Sequence, residues 1–165
     1  EEQYMQVIKG KTAILFASAC EVGGLIAEEQ SNKVEALRLY GEALGVSFQM
    51  VDDFLDYTGT KTGLGKDIGD DFREKKITLP IIYSLQTQNQ INQKFWSRTL
   101  EKGNQEIGDF ETAKKILADD GSLERTRLEA IHWANAAKKQ LKKFPHNKLN
   151  VLLSRVTDYV VTRIS

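Results

Sequence analysis

Phe48-Gln49-Met50-Val51-Asp52-Asp53-Phe54-Leu55-Asp56-Tyr57 sets three carboxylates at the end of an otherwise apolar helical run. Burying even one such charge unpaired is costly, so the stretch predicts a cation beside it. On a helix, positions four apart stack one above the other. Asp52 and Asp56 therefore share a face, with Asp53 turned about 100° away. Oxygen donors on one face suit a hard divalent cation, Mg²⁺ in particular, which is held by one or two carboxylates together with water and phosphate oxygens. The alternative reading of the same residues is a solvated acidic helix end.

Upstream of this run, Asn32 is a candidate N-cap for one long helix reaching Tyr57, with Ala36, Leu39, Tyr40, Ala43, Leu44 and Val51 on its apolar stripe. Gly41 and Gly45 lie four apart within it. A glycine inside a helix costs about 1 kcal/mol relative to alanine, so the pair predicts close approach by a second helix. That second helix is expected over Glu1 to about Glu29, with breaks near Gly10 and at Gly23-Gly24. Ile8, Leu15, Ala19 and Val22 carry its period, and Lys11-Thr12 interrupts the apolar stretch with a cation and a hydroxyl. A snorkelling lysine beside a surface threonine is the plainer reading of that pair.

Downstream, Thr58 to Asp71 holds four glycines in the eleven positions 59–69 and reads as a loop. Glycines admit backbone N–H groups close to a phosphate, and Lys66 supplies a point charge. It is not a Walker A loop, because Asp67 stands where that pattern needs Ser or Thr. Thr78 is a candidate N-cap, with Pro80 in the first turn of a helix to about Gln88. Polar residues 86–93 read as a turn region, followed by a helix over 91–100 and a loop bounded by Gly103 and Gly108. Asp109 is expected to cap a helix through Leu117. Gly121-Ser122 restarts the chain into a lysine-rich helix over 123–144, ended by Pro145, and a last helix covers 149–164. The cations Lys138, Lys139, Lys142 and Lys143 read as a solvated face.

The 165 residues suffice for one domain, and two prolines among long periodic segments argue for an all-α chain. A 41% hydrophobic share with zero formal net charge gives no support for nucleic acid as a partner. No apolar run reaches the roughly 18 residues of a membrane span, and no signal peptide is visible. Cys20, alone, cannot form an internal disulfide and reads as a small core residue. A reducing, cytoplasmic setting is expected. His132 and His146 have no partners at zinc spacing and are expected to be structural or exposed.

Four segments in order carry a resemblance: Gly10-Lys11-Thr12, Phe48-Gln49 with Asp52-Asp53-Phe54-Leu55-Asp56, Gly65 to Asp71, and Lys76-Ile77-Thr78-Leu79-Pro80. From Tyr4 to Pro80 the chain resembles the C-terminal half of the trans-polyprenyl diphosphate synthases, in their long-chain form that makes quinone side chains. Beyond Pro80 the likeness rests on helix pattern and on the ending Asp158 to Arg163. The resemblance implies the helical bundle of the isoprenoid synthase fold. It implies condensation of an allylic prenyl diphosphate with isopentenyl diphosphate, with Mg²⁺ and lysines stabilising the departing diphosphate. Asp52 and Asp56 would then ligate Mg²⁺, with Asp53 a ligand or its support. Lys11, Lys66 and Lys76 would contact the diphosphate. Thr12 and Gln49 would set oxygen dipoles beside the carbocation, and Phe48 would line the cavity.

The family has two aspartate-rich motifs, and nothing before Asp52 resembles the first. Asp70-Asp71 and Asp119-Asp120 lack the spacing and the following arginines. Residues 1–165 are therefore expected to form a single partial domain bearing the second motif, inactive or nearly so alone. It should act with the missing N-terminal half or within a homodimer. An uncovered bundle face predicts self-association. Two other readings compete: a non-catalytic helical partner that modulates an active synthase, and a class I terpene cyclase, whose second metal motif the Asp52 run does not fit.

Overall fold

The computed structural model describes residues 1–59 and 68–164, and all regular structure among them is helical. In chain order the helices are α1 (Glu2–Ile8), a π turn (Lys9–Ala13), α2 (Ile14–Ile26), α3 (Ser31–Thr58), α4 (Asp70–Arg73) and α5 (Leu79–Gln86). There follow α6 (Gln90–Trp96), a second π turn (Ser97–Glu101), α7 (Asp109–Asp119), α8 (Ser122–Leu141) and α9 (Lys148–Thr162). Contacts divide the chain into two compact units, one of Asp52–Arg127 with Glu1, the other of Glu2–Val51 with Leu128–Ser165.

In the unit of Glu2–Val51 and Leu128–Ser165, small residues set the packing. A β-carbon at Gly41 would lie 2.3 Å from the Phe16 carbonyl oxygen, and one at Gly45 would lie 2.6 Å from Ala13 Cα. The glycine pair thus lets α3 approach α2 backbone to backbone. On α8, Ala130, Ala134 and Ala137 are buried at helical spacing, and Ser47 donates to the Ala130 carbonyl at 2.8 Å. Tyr40 reaches α9, donating to the Leu153 carbonyl at 2.9 Å. The buried hydroxyls of Ser47, Tyr40 and Thr157 each have a carbonyl acceptor, as burial demands.

In the unit of Asp52–Arg127, the core is Tyr57, Phe72, Ile81, Trp96, Leu100, Ala113 and Leu117. Trp96 Nε1 donates to Ser84 Oγ at 2.9 Å, and Ser84 donates to Asp120 at 2.5 Å. Asp120 also accepts the Ser122 amide at 3.0 Å, so this carboxylate launches α8. Arg98 clamps the buried Asp109 with two N–H donors, at 2.6 and 2.9 Å.

Several boundaries differ from expectation. The helix over residues 2–26 does not break at Gly10 or at Gly23-Gly24; it widens into the π turn and then runs on. α3 begins at Ser31, so Asn32 lies inside its first turn. α6 starts at Gln90 because the Asn89 side chain accepts the Ile91 and Asn92 amides, which shortens the expected turn region. Gly108, at φ 93°, holds the cap position of α7, and Asp109 instead accepts the Glu106 amide. Asp70 and Asp71 begin a helix rather than ending a loop. Cys20 is only partly buried, and that burial pushes its thiol pKa up.

Candidate functional site

Within the unit of Glu2–Val51 and Leu128–Ser165, Lys11 and Thr12 occupy the π turn. Such a turn inserts one extra residue and re-aims the side chains it carries, which is why π turns recur at functional positions. Thr12 Oγ1 donates to Gln49 Oε1 at 2.8 Å, joining residues 37 apart in sequence. With the hydroxyl hydrogen committed to Gln49, the Thr12 oxygen offers its lone pairs elsewhere. Lys11 is exposed. Its neighbour Lys9 is committed: its ammonium pairs with Glu42 at 2.9 Å and lies 5.5 Å from the centre of the Trp133 ring. Phe48 is partly buried, its ring 5.6 Å from that of Phe16.

Within the unit of Asp52–Arg127, Asp53 and Asp56 are buried and Asp52 is partly exposed. Asp56 has a task of its own. One carboxylate oxygen accepts the Asp70 amide at 3.2 Å and the other the Asp71 amide at 3.1 Å. The Asp56 carbonyl accepts the Gly69 amide at 2.9 Å. These are unsatisfied N–H groups at the start of α4, where a negative charge is also favoured by the helix dipole.

Asp71, buried, faces Lys76 Nζ at 3.3 Å, and Lys76 also pairs with Glu74 at 2.6 Å. The hydrogen bond to Glu74, then that to Asp71, pushes the Lys76 ammonium up to about 12. An ammonium has three donors, so a third remains for another anion. Lys75 adopts φ 59° to turn the chain between them. Tyr57 and Thr78 are buried with hydroxyls that make no hydrogen bond of good geometry. Burial pushes the Tyr57 phenol well up, and the charges of Asp56, Asp71 and Asp53 add to it; the nearby Thr78 hydroxyl opposes them weakly.

The structure thus brings Thr12 to Gln49, ties Asp56 to the amides of Gly69, Asp70 and Asp71, and pairs Lys76 with Asp71. Lys66, with the glycines at 63 and 65, lies outside the described residues. Thr78 stands in the cap position of α5 without capping through its side chain. Among the described residues no three His, Cys, Asp or Glu side chains are arranged to hold a metal ion. The donor chemistry still fits a hard cation, because Mg²⁺ needs only one or two protein carboxylates when phosphate and water complete its shell. Asp71, marked in the sequence only within the Gly65 to Asp71 segment and as part of an aspartate pair of the wrong spacing, and Tyr57, to which the sequence assigns no role, are additions to the candidate site; the acidic pair at 70–71 is the signal for Asp71.

The pattern of the polyprenyl synthetase family matches residues 1–117. The chain is 33% identical over 162 residues to the decaprenyl-diphosphate synthase of Dictyostelium discoideum, covering 98% of this chain and 34% of that protein. It is 36% identical over 145 residues to the octaprenyl diphosphate synthase of Escherichia coli, covering 88% and 45%. Among solved structures, a decaprenyl diphosphate synthase from Rhodobacter capsulatus superposes with a TM-score of 0.91 at 47% identity, over 98% of this chain and 50% of that one. A polyprenyl synthase from Caulobacter crescentus, complexed with calcium and isoprenyl diphosphate, gives 0.93 at 40% identity, over 98% and 49%. The chain spans between about a third and a half of the length of these proteins.

Proposed function

The chain belongs to the polyprenyl synthetase family, and on that premise we propose that it is the C-terminal portion of a long-chain trans-polyprenyl diphosphate synthase, a prenyltransferase supplying quinone side chains in the cytoplasm. Its substrates are an allylic prenyl diphosphate and isopentenyl diphosphate. In the reaction the allylic C–O bond breaks and the electron pair leaves with diphosphate. The isopentenyl double bond then forms the new C–C bond, and a proton is lost.

Lys11, Lys66 and the third donor of Lys76 bind diphosphate oxygens. Thr12 and Gln49 hold each other so that oxygen lone pairs, not hydrogens, meet the developing carbocation, and Phe48 shields it from water. Asp52, with Asp53 and Asp56 beside it on α3, would hold Mg²⁺, which when bound neutralises the leaving diphosphate. The complex of the Caulobacter crescentus enzyme with calcium and isoprenyl diphosphate supports a divalent cation and a diphosphate as ligands. With the first aspartate-rich motif unaccounted for in residues 1–165, the chain alone does not turn over and works with an N-terminal half.

The Thr12 to Gln49 hydrogen bond carries this reading, because it couples the Lys-Thr motif to the helix that bears the aspartates. The test is co-expression with the N-terminal half of the Rhodobacter capsulatus enzyme, then assay with radiolabelled isopentenyl diphosphate, an allylic diphosphate and Mg²⁺. Product is expected from the pair, none from this chain alone, and a loss of roughly 100-fold or more for Asp52→Ala and for Lys11→Ala in the pair. A pair that assembles yet yields no prenyl diphosphate would overturn the reading.

A further inference from the structure

Charge is unevenly distributed in the unit of Glu2–Val51 and Leu128–Ser165. Residues 138–165 carry seven lysines and arginines against the single Asp158, in a chain whose formal net charge is zero. That one acid is already paired with Lys138. Lys139, Lys142, Lys143, His146 and Lys148 are all exposed, at the end of α8, in the loop after it and at the start of α9. By charge alone such a run is a solvated face. The surface beside it adds an apolar component.

Two open cavities adjoin this basic end, and Leu141 and Phe144 line both. One, of about 310 Å³, is mostly apolar, with Leu37, Leu149 and Leu153 in its wall. The other, also of about 310 Å³, is edged by Lys138, Lys142, His146, Asn150 and Ser154. Glu29 and Lys33, on the rim of the apolar cavity, pair with each other at 2.8 Å and add no net charge there. Leu149 is 69% exposed and follows the exposed Lys148 directly. Cationic donors and an apolar hollow thus lie side by side, which is the pairing that a phosphate attached to a hydrocarbon chain requires.

We infer that this end of the unit docks on a bilayer surface of anionic phospholipid. Lipid phosphates meet the exposed lysines and the polar cavity, while Leu149 and the apolar cavity receive acyl chain. Each lysine close to an anionic leaflet strengthens binding about fivefold, and apolar burial holds the contact in the interface. Charge alone serves any polyanion; the adjoining apolar cavity and the exposed leucine favour a lipid. The family pattern covers residues 1–117 and does not reach α8 or α9, so it gives this end no role. The inference goes beyond the proposed activity and accords with it. A long prenyl chain is itself excluded from water, and a reaction that consumes such a product in a bilayer is served by a synthase held at its surface.

The test is co-sedimentation of this chain with vesicles of phosphatidylglycerol mixed into phosphatidylcholine, and with vesicles of phosphatidylcholine alone. Binding is expected to the first only, falling roughly tenfold or more between about 0.1 and 0.5 M salt. Lys142→Glu with Lys143→Glu should weaken it roughly 25-fold or more, and Leu149→Ser about tenfold. Lys94→Glu with Lys102→Glu makes the same change of charge in the other unit and should stay within about threefold of the parent. All five positions are exposed, and circular dichroism checks that helicity is kept. Equal binding to both kinds of vesicle, no binding to either, or an equal loss from the two lysine pairs overturns the inference. Displacement from the vesicles by inorganic phosphate at constant ionic strength would mean a site for free phosphate, and the inference fails. Single-stranded DNA bound as tightly as the vesicles, with Leu149→Ser indifferent to both, would mean a site for any polyanion, and it fails again. Turnover is not measured, so each of these failures leaves the reading of the chain as part of a synthase standing.

Discussion

Thr12 and Gln49 share one hydrogen bond of 2.8 Å between a π turn and the middle of the longest helix. Both side chains are partly buried, so the bond is partly screened from water and its loss costs stability. Thr12→Val is expected to lower stability by about 0.5–1.5 kcal/mol, with Gln49→Leu similar. The double variant should cost less than the two singles summed, by about the energy of the bond. Urea unfolding of the four proteins in the cycle measures the coupling; a coupling near zero would mean that the bond does not persist in solution.

Asp52 and Asp56 lie one turn apart on α3 yet serve different ends. Asp56 is buried and caps α4 through both oxygens, whereas Asp52 is partly exposed. Asp56→Ala should therefore destabilise the fold by about 1–3 kcal/mol, the cost of orphaned buried donors, and should speed hydrogen exchange at the Asp70 and Asp71 amides. Asp52→Ala should destabilise the fold less than Asp56→Ala and, on the proposed assignment of Asp52 to the metal, abolish any thermal shift given by Mg²⁺ with diphosphate. Equal destabilisation by both substitutions would contradict this division of labour.

The difference between these two aspartates also marks where sequence stops being informative. Helical period places α3 to within two residues at its start and one at its end, and the cost of Gly41 and Gly45 correctly announces a close helix contact. Those features depend on residues near in sequence or on one face of one helix. The capping of α4 by Asp56 depends instead on where the chain returns after residues 60–67, which no local pattern encodes. The π turn at Lys9–Ala13 was invisible for a related reason: one extra residue shifts the hydrophobic period too little to be distinguished from a break at Gly10. Composition makes Asn89 part of a polar turn, although its side chain starts a helix. In that case the capping hydrogen bonds outweighed composition.

Glycine substitutions separate packing from backbone entropy. At Gly45 a new β-carbon would sit 2.6 Å from Ala13 Cα, and at Gly41 2.3 Å from a carbonyl oxygen, both backbone atoms that cannot swing aside. Gly45→Ala and Gly41→Ala should each cost about 1–3 kcal/mol, as overpacking does. At Gly10 nothing lies within 4 Å of the added carbon. Gly10→Ala should then stabilise the helical state by about 0.5–1 kcal/mol, the ordinary preference of a helix for alanine. Thermal unfolding of the three variants distinguishes the cases by sign.

Arg98 and Asp109 give the stability of the chain an acid limb. The Arg98 hydrogen bonds, with the Glu106 amide as a further donor, hold the Asp109 carboxyl below its ordinary 3.8 against the opposing effect of burial. Because the folded pKa is the lower one, the unfolded chain binds the proton first as pH falls. The contribution of the pair is therefore complete above the unfolded value and disappears as pH drops through the folded one. Arg98→Gln removes the fork that holds the carboxylate and should flatten this limb. Denaturation midpoints at neutral pH and below about pH 3 should differ less for Arg98→Gln than for the parent. An undiminished difference would place the acid sensitivity in other carboxylates, with Asp56 at the cap of α4 the next to substitute.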